Sequence, residues 1–441
     1  MKAIDGQFPR RWQKSGAGWT QVSVLVLRAN AVAFVVAPLT ALLAGSIGWH
    51  WGLAMVSLSG AMMGVVFPLL CHRAVESDAE SGARLSWLYL ANIIGSGAGS
   101  LLTGFWLMDR LGLHLLSVVL LLAAVAWAIA ITPIRSVRFF VLPLAVVVVT
   151  TPAFESLYER LQYKSGYQRG MKFAQVVESR HGVITVDTSG AVYGNGAYDG
   201  VIETTLTPGS WLVRPYFLPA VAEKLDEVLV IGVASGAWTQ ILANCPAVKK
   251  ITAIELSSGY LQVIKSHPQV SGLLSHPKVE LIVDDGRRWL RRNPGRKFDA
   301  IVMNTTHHWR EFASALLSIE FLSQVKSHLK PEGIAFWNCT ESARAGRTGM
   351  EVFPHTMMVL NHCLAASAPL TVDTKRWERV LREWPGAFES EDDLASVLSF
   401  VERKGFPTDK DKWNWMDRSM MEAHFGGAEI ITDDNLGHEF R

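Results

Sequence analysis

Charged residues are scarce in this chain of 441 residues: they make up 19% of the sequence, whereas a typical soluble domain carries about 25%. Residues 85–108 and 112–132 have no charged side chain, and residues 22–71 have only Arg28. The four cysteines lie far apart without a CxxC pair, which argues against a disulfide framework or a zinc knuckle and suits a reducing compartment. The net charge of +2 gives no electrostatic reason to expect a nucleic-acid partner. The composition excludes a wholly soluble protein and a disordered one.

Long apolar runs occupy the stretches that lack charge. A helix needs about 20 apolar residues to cross a bilayer, and windows of this length lie at 22–45, 48–71, 85–108 and 112–132. A further apolar stretch, 139–154, is short and contains Pro143, so we expect it to lie at the membrane interface or half-buried. The sequence therefore predicts a tail over residues 1–21 and a transmembrane domain over residues 22–151, with the lipid bilayer as a partner.

Lysine and arginine in the short loops predict the orientation of these spans. Positive residues cluster in the N-terminal tail, after the second window (Arg73 and Arg84) and after the fourth (Arg135 and Arg138). Cytoplasmic loops carry the excess of such residues in membrane proteins. We therefore expect a multi-pass protein of a bacterial inner membrane, with the N-terminus and everything after the fourth crossing in the cytoplasm.

The rest of the chain has the pattern of an α/β protein. Residues 155–215 predict a β-hairpin region, with a turn at Gly194-Asn195-Gly196. Beyond residue 216, strands alternate with helices, which indicates a parallel sheet with right-handed crossovers. Strands are predicted at 228–231, 251–254, 279–283, 298–303 and 334–338, and a helix at about 313–329. The predicted fold is a multi-span α-helical membrane domain followed by a small β region and a Rossmann-like α/β domain (216–365), with residues 366–441 as a C-terminal extension.

Chemistry is expected at the carboxyl ends of the strands, where ligands bind in such sheets. The turn from Gly232 to Gly236, which contains Ser235, lets the backbone approach a ligand closely. Glu255 ends the second strand and is placed to accept hydrogen bonds from ribose hydroxyls. These features favour a ligand that contains a nucleoside.

The third strand is followed by Asp284, Asp285 and Gly286, and Asp285 is placed to accept a hydrogen bond from an adenine amino group. The glycine turn does not have the GxGxxG pattern of dinucleotide-binding folds. This favours S-adenosylmethionine over a dinucleotide, because its sulfonium needs no phosphate cradle.

The sequence resembles the spermidine synthase (polyamine aminopropyltransferase) family, a branch of the class I methyltransferase-like fold. The resemblance lies in the runs VLVIGVASGAWTQ, AIEL, VDDGRRWL and FDAIVMN and covers roughly residues 155–345. The apolar run YLANIIGSGAGSLLTGF is similar to the spans fused to spermidine-synthase-like domains in bacterial membrane homologues. The resemblance implies a transferase that uses S-adenosylmethionine, or its decarboxylated form, as co-substrate. It implies a donor pocket formed by Gly232, Ser235, Gly236, Glu255, Asp284, Asp285, Gly286 and Asn304.

The side that would bind the acceptor departs from this family. Family members carry an Asp in the glycine loop and two more after the fourth strand, where this chain has Ser235, Asn304 and His307. An Asn cannot act as a general base, whereas a His can, because its pKa of about 6.5 lies near neutral pH. We therefore expect His307 as the base, with Asn304 and Thr305 as positioning groups. Asp199 either binds the amine or forms a turn before Gly200.

No metal is expected at this site. The adjacent His307 and His308 point in different directions, and no third ligand lies nearby in the sequence. Structural hydrogen bonding is the other interpretation of this pair.

Several functions remain open. One is a membrane-embedded transferase that cleaves the bond between sulfur and the alkyl chain and releases methylthioadenosine. Such an enzyme would transfer the alkyl chain of the donor to a small-molecule amine. Alternatively, it would use no second substrate and act as a cyclase or lyase. Another is a methyltransferase with a membrane-associated acceptor, and a third is a non-catalytic nucleoside-binding regulator of the membrane domain. A homo-oligomer is compatible with each.

Overall fold

The computed structural model describes residues 16–46, 50–76, 78–131, 138–304, 314–340, 342–406, 412–436 and 438. The chain divides into two compact units. The first comprises residues 1–173 and 178–183, and the second comprises residues 174–177 and 184–441.

The first unit is helical, as long and almost uncharged apolar runs of this length favour. Its helices are α1 (Gly16–Leu43), α2 (His50–Ala74), α3 (Ser81–Leu102), α4 (Leu113–Ile131), α5 (Arg138–Phe154) and α6 (Leu157–Tyr163). Within the described part of the chain, four helical stretches are long and apolar enough to cross a membrane: Trp19–Leu43, His50–Ala74, Ser81–Leu107 and Leu113–Ala130. They match the predicted windows. The apolar part of α5, Ala145–Phe154, is shorter.

The α3 helix shows its apolar side chains on all sides. None of its residues is buried, and Trp87 and Ile94 are 71% and 61% exposed. A helix that is apolar all round is either in a protein core or in a membrane. Because α3 is not in the core of this unit, its surface is compatible with lipid contact.

A small sheet precedes the larger one in the chain. Its strands β1 (Gln175–Ser179), β2 (Gly182–Val186), β3 (Ala191–Gly194) and β4 (Ala197–Val201) lie in that order. The β3–β4 hairpin turns at Asn195 and Gly196, whose φ angles are 51° and 81°. Asn-Gly supplies the positive φ angles that such a tight hairpin needs, and the predicted turn is confirmed.

The main sheet has eight strands in the order β12-β10-β11-β9-β8-β5-β6-β7. They are β5 (Leu225–Ile231), β6 (Val248–Glu255), β7 (Val279–Val283), β8 (Phe298–Met303), β9 (Leu329–Asn338), β10 (His355–Val359), β11 (His362–Ala366) and β12 (Trp415–Asp417). The described helices around them are α7 (Val213–Tyr216), α8 (Leu218–Val221), α9 (Ala237–Asn244), α10 (Ser258–Ser266), α11 (Pro268–Ser271), α12 (Gly286–Arg292), α13 (Ile319–Ser327), α14 (Ala343–Val352), α15 (Thr374–Arg382), α16 (Glu391–Leu398) and α17 (Arg418–Phe425). The architecture is Rossmann-like.

Two details of the sheet differ from the prediction. The strands β5 to β9 are parallel, but β10, β11 and β12 add antiparallel pairs, so the sheet is mixed. The prediction of a helix up to residue 329 was wrong, because α13 ends at Ser327 and β9 begins at Leu329. A register shift opposite Phe298 and Ala300 accommodates the Lys330-Pro331-Glu332-Gly333 segment within the strand.

Both faces of the sheet are covered. Along β5, Val228 and Val230 pack into one hydrophobic core, while Leu229 and Ile231 pack into the other. This burial on both sides explains the continuous apolar run of a central parallel strand. From β5 the chain first builds β6 and β7 on one side and then β8 and β9 on the other. The strand order therefore reverses between β5 and β8, and ligands bind at such switch points.

Candidate functional site at the carboxyl edge of the main sheet

The turn after β5 has an unusual backbone. Gly232 and Gly236 have φ angles of 85° and 82°, and Ala234 has a φ angle of 49°. Gly236 begins α9, and a Cβ atom there would lie 2.9 Å from Cγ1 of Ile264. Both glycines suit the left-handed conformation, and Gly236 is also needed for close packing against Ile264. The turn brings backbone N–H groups to the switch point of the sheet.

The carboxylate of Glu255 holds this turn in place. Its Oε2 accepts hydrogen bonds from the N–H groups of Val233 (2.8 Å) and Ala234 (3.2 Å), and Oε1 accepts one from Ser257 (2.9 Å). Burial raises the pKa of Glu255, and the backbone N–H donors oppose that rise. The backbone N–H of Leu256 also acts on this carboxylate, so four backbone donors hold Glu255. Glu255 thus has a bracing role that the sequence did not indicate.

The two aspartates after β7 accept hydrogen bonds from Arg288 of α12. Asp285 is the N-cap of this helix, and its Oδ1 accepts a hydrogen bond from the N–H of Arg288 (2.6 Å). Asp284 pairs with the Arg288 side chain. Burial opposes ionisation of Asp284, but the bond from Arg288 outweighs it and the pKa of Asp284 is lowered. Among the residues that the structure describes, Asp285 accepts a hydrogen bond only through Oδ1.

Gly286 has a structural role at this position. A Cβ atom there would lie 2.5 Å from Cγ2 of Ile231, in the core of the sheet. The missing side chain lets the start of α12 lie against β5. This close approach fixes the position of Asp285, which precedes it.

The small sheet contributes Asp199 to the same place. Asp199 is buried, and its Oδ2 accepts a hydrogen bond from the Tyr260 hydroxyl. Burial, and then the charge of Glu255, raises the pKa of Tyr260, so its hydroxyl remains a donor. The next residue, Gly200, lies beside the glycine turn, since a Cβ there would be 3.5 Å from Oγ of Ser235. The structure therefore brings Asp199 together with the glycine turn and Glu255.

Asn304 lies on the other side of the switch point. Ile231 and Met303 are register partners in β5 and β8, so Gly232 and Asn304 follow paired positions. The predicted residues Thr305, His307 and His308 lie outside the described residues. The structure thus places Asn304 directly after β8, whereas the predicted base, His307, lies outside the described residues.

Sequence reasoning missed Arg214, which belongs to the short helix α7. Its Nη1 donates to Oδ1 of Asn361 (2.8 Å) and contacts Nδ1 of His362 at 3.3 Å. Its guanidinium stacks over Trp238, in the first turn of α9, at 5.0 Å. No local motif marks this position, because its partners are 147 and 148 residues away in the chain.

The C-terminal segment also reaches the site region. Asp433 pairs with Arg287 of α12, and it accepts a hydrogen bond from Oγ of Ser318 (2.7 Å), the N-cap of α13. Ile319 donates its N–H to the carbonyl of Ile431 (2.8 Å). The segment thereby joins the helices that follow β7 and β8.

No metal-binding group is found in the part of the chain that the structure describes. Within it, no cluster of three or more His, Cys, Asp or Glu side chains could hold a metal ion.

Comparison with known proteins agrees with this architecture. Residues 217–344 match the family described as Spermine/spermidine synthase domain. The chain is 28% identical over 156 residues to polyamine aminopropyltransferase 2 of Hyperthermus butylicus, covering 34% of this chain and 50% of that protein. It is 22% identical over 343 residues to the polyamine aminopropyltransferase of Mycobacterium tuberculosis, covering 70% of this chain and 64% of that protein. The chain thus spans about half to two thirds of the length of these relatives, and its residues 217–344 are similar to the spermidine synthase family.

Solved structures with a related fold include two spermidine synthases. One, crystallised in complex with the transition-state analogue AdoDATO, is 16% identical with a TM-score of 0.42 and covers 52% of this chain and 86% of that chain. The other, from Thermotoga maritima, has the same identity and TM-score, 16% and 0.42, and covers 58% of this chain and 89% of that chain.

Proposed function

We propose that the protein is an aminopropyltransferase-like enzyme that uses decarboxylated S-adenosylmethionine or S-adenosylmethionine itself. It cleaves the bond between the sulfur and the alkyl chain and releases methylthioadenosine. The observation that supports this proposal is that Glu255 holds the Gly232–Gly236 turn and that Asp199 is next to Gly200, which lies beside Ser235 of the same turn. The turn and Glu255 lie at the switch point of the sheet, within the residues that match the spermidine synthase domain, and Asp285 follows the next strand, β7, at the same edge.

The nucleoside half of the donor is held by groups on the β6 and β7 side. Glu255 accepts a hydrogen bond from a ribose hydroxyl, and Oδ2 of Asp285 accepts one from the adenine amino group. The backbone of the Gly232–Gly236 turn lies against the sulfur end. The sulfonium is a cation, so the carboxylates of Asp199 and Glu255 stabilise it electrostatically.

The transfer step is a displacement at the carbon next to the sulfonium. The lone pair of a neutral amine forms a C–N bond while the C–S bond breaks, and its electron pair goes to sulfur, which becomes neutral. The amine proton is then released to a base. Asp199, held by Tyr260, is our candidate for binding the amine, and His307 is our candidate for receiving the proton. Positioning both reactants in line is the main contribution of such a site.

A second version uses no separate acceptor. Asn304 ends β8 with an amide, which neither attracts a diamine nor takes its proton. This favours a reaction in which a group of the donor itself displaces the sulfur, or in which elimination occurs. Both versions release methylthioadenosine.

We further propose that the four long apolar helices cross the inner membrane of a bacterium and that the enzyme acts in the cytoplasm. The exposed apolar surface of α3 supports this proposal. Limited proteolysis of sealed, oriented vesicles tests it. Cleavage of the second unit only from the cytoplasmic side is expected, and cleavage only from the outer side would refute the orientation.

The activity is tested by incubating the full chain in detergent with each donor, with and without 1,4-diaminobutane, and identifying the nucleoside product. Methylthioadenosine is expected, and its dependence on the amine decides between the two versions. S-adenosylhomocysteine would show methyl transfer instead, and donor binding without product would show a non-catalytic regulator. Asp199→Asn should lower turnover at least ten-fold, whereas Asp226→Asn, an exposed aspartate paired with Lys249, should not.

A further inference from the structure

Arg214 is a cation that has no carboxylate partner in the described part of the chain. Its Nε and Nη1 groups bond to the Trp211 carbonyl (2.7 Å), to Asn361 and to His362. A guanidinium has five N–H donors, so both N–H groups of Nη2 are left over. Burial lowers the pKa of Arg214 to about 9, and it therefore remains charged at neutral pH. Arg214 is only partly buried, so an anion can reach its guanidinium from the solvent.

The side chains around Arg214 form a fixed polar network. Asn361 accepts from Arg214 through Oδ1 and donates through Nδ2 to Oγ1 of Thr340, which in turn donates to Oδ1 of Asn338. Burial, and then the charge of Arg214, lowers the pKa of His362 well below its ordinary value, so this imidazole is neutral. The network therefore carries a single positive charge, that of Arg214.

This network lies at the same edge of the main sheet as the nucleoside groups. Asn338 ends the parallel strand β9, and it is the register partner of His362, which begins the antiparallel β11. Glu255 and Asp285 follow β6 and β7, on the far side of β5 and β8. The carboxyl edge thus has an acidic half at β6 and β7 and a cationic half at β9 and β11.

Two contacts connect the cationic half with the glycine turn. Arg214 stacks over Trp238, which lies two residues after Gly236 in the same turn-and-helix unit. Arg214 also lies near Tyr198, the neighbour of Asp199 in β4. Burial raises the pKa of that phenol, and the nearby charge of Arg214 has a smaller, opposite effect. A group bound at Arg214 would therefore be close to a reacting donor.

We propose that Arg214, with Asn361, binds a carboxylate of a substrate beside the sulfonium. A guanidinium presents planar, directed donors to a carboxylate, and such charge-assisted hydrogen bonds are strong. A dicationic polyamine would be repelled at the same place. The carboxylate comes either from the methionyl part of S-adenosylmethionine, which the decarboxylated donor lacks, or from an acceptor that carries both an amine and a carboxylate. The inference rests on the proposed function, which supplies the donor.

The test is calorimetric titration of the full chain in detergent. Three nucleosides are titrated alone: methylthioadenosine, S-adenosylmethionine and decarboxylated S-adenosylmethionine. Two acceptors, 4-aminobutyrate and 1,4-diaminobutane, are then titrated in the presence of saturating methylthioadenosine. All of these ligands are compared in the wild type, Arg214→Gln and Arg214→Lys. The matched control is Arg296→Gln, since Arg296 also stacks on two aromatic rings, Trp289 and Phe298.

In Arg214→Gln, we expect methylthioadenosine to bind within two-fold of the wild type, which also shows that the variant is folded. If the donor supplies the carboxylate, affinity for S-adenosylmethionine falls at least ten-fold while that for the decarboxylated form does not. If the acceptor supplies the carboxylate, only the affinity for 4-aminobutyrate falls, by at least ten-fold. Arg214→Lys should be intermediate, and Arg296→Gln should resemble the wild type.

The proposal is overturned if every carboxylate ligand binds Arg214→Gln within two-fold of the wild type while methylthioadenosine still binds. It is also overturned if the wild type prefers 1,4-diaminobutane to 4-aminobutyrate and the decarboxylated donor to S-adenosylmethionine. A wild type that binds none of the three nucleosides refutes the proposed function itself, and the inference falls with it.

Discussion

Arg287 and Asp433 are 146 residues apart in the sequence and form an ion pair through both terminal nitrogens of the guanidinium. Nη1 of Arg287 lies 2.8 Å from Oδ1 of Asp433. Arg287 is in the first turn of α12, directly after the Asp285-Gly286 pair, and Asp433 also receives a hydrogen bond from the N-cap of α13. The pair therefore connects the C-terminal segment with the helices that follow two of the site's strands.

Asp433→Asn should destabilise the protein and shift the start of α12. The Asp433 and Arg287 side chains are 38% and 23% exposed, so we expect a loss of about 0.5–1 kcal/mol, in the range of partly solvated pairs. A double-mutant cycle with Arg287→Gln, followed by thermal unfolding, measures the coupling between them. Strictly additive effects of the two substitutions would show that the pair has no energetic role.

Gly286→Ala should weaken both stability and nucleoside binding. The added Cβ would lie 2.5 Å from Cγ2 of Ile231, and overpacking of this kind costs about 1–3 kcal/mol. The displaced helix would also move Asp285. Gly295→Ala is the matched control, because a Cβ at Gly295 meets nothing within 4 Å. Equal unfolding temperatures for the two variants would contradict the packing argument.

Tyr260→Phe should lower turnover more than it lowers affinity for methylthioadenosine. It removes the hydroxyl that donates to Asp199, and a hydrogen bond to an ionised carboxylate favours the ionised form. The acidic limb of the pH–rate profile should therefore move to higher pH. Tyr193→Phe is the control, since Tyr193 donates to Asp187 in the same small sheet at 3.5 Å. An unchanged pH–rate profile in Tyr260→Phe would show that Tyr260 has no role in the reaction.

Stability in acid should depend on Asp417. The hydrogen bond from Lys404, followed by the N–H of Met420, lowers the pKa of Asp417 to about 2, compared with about 3.9 in an unfolded chain. This stabilisation is complete above about pH 4 and is lost as the pH falls toward about 2. Asp417 is 37% exposed, so solvent screening keeps the effect below about 1 kcal/mol.

Denaturant unfolding between pH 5 and pH 2 measures this contribution in Asp417→Asn. The variant should be less stable than the wild type at pH 5 and converge with it toward pH 2. Asp392→Asn, an exposed aspartate in the first turn of α16, is the control. A constant difference between Asp417→Asn and the wild type across this range would refute the assignment.

The parallel strands were predictable because each is a short apolar run between turn residues. The predicted bounds of β7 and β8 coincide with the structure. The β10–β11 hairpin was not predicted, since its sequence from His355 to Ala366 contains no glycine or proline and only one typical turn residue, Asn361. The turn consists of Leu360, with a φ angle of 56°, and Asn361. A positive φ angle at a leucine depends on tertiary packing, so the local signal for this turn is weak.

The site was predictable only where strand ends define it. Glu255, Asp285 and the glycine turn follow strands directly, so the rule for parallel sheets places them together. Asp199 was proposed as a carboxylate that binds the amine, with a turn before Gly200 as the alternative, and the structure places it next to Gly200, which lies beside Ser235 of the glycine turn. Arg214 and Asp433 were not predicted as site-region residues, because each reaches the sheet edge through partners more than a hundred residues away in the chain.

Calorimetric titration of methylthioadenosine into the full chain tests the central claim most directly, with Glu255→Gln compared against Glu280→Gln. Glu255 braces the glycine turn, whereas Glu280 is exposed on β7 and pairs with Lys250. We predict saturable binding to the wild type and to Glu280→Gln, and at least ten-fold weaker binding to Glu255→Gln. No binding to a folded wild type, or equal binding to all three proteins, would contradict the account.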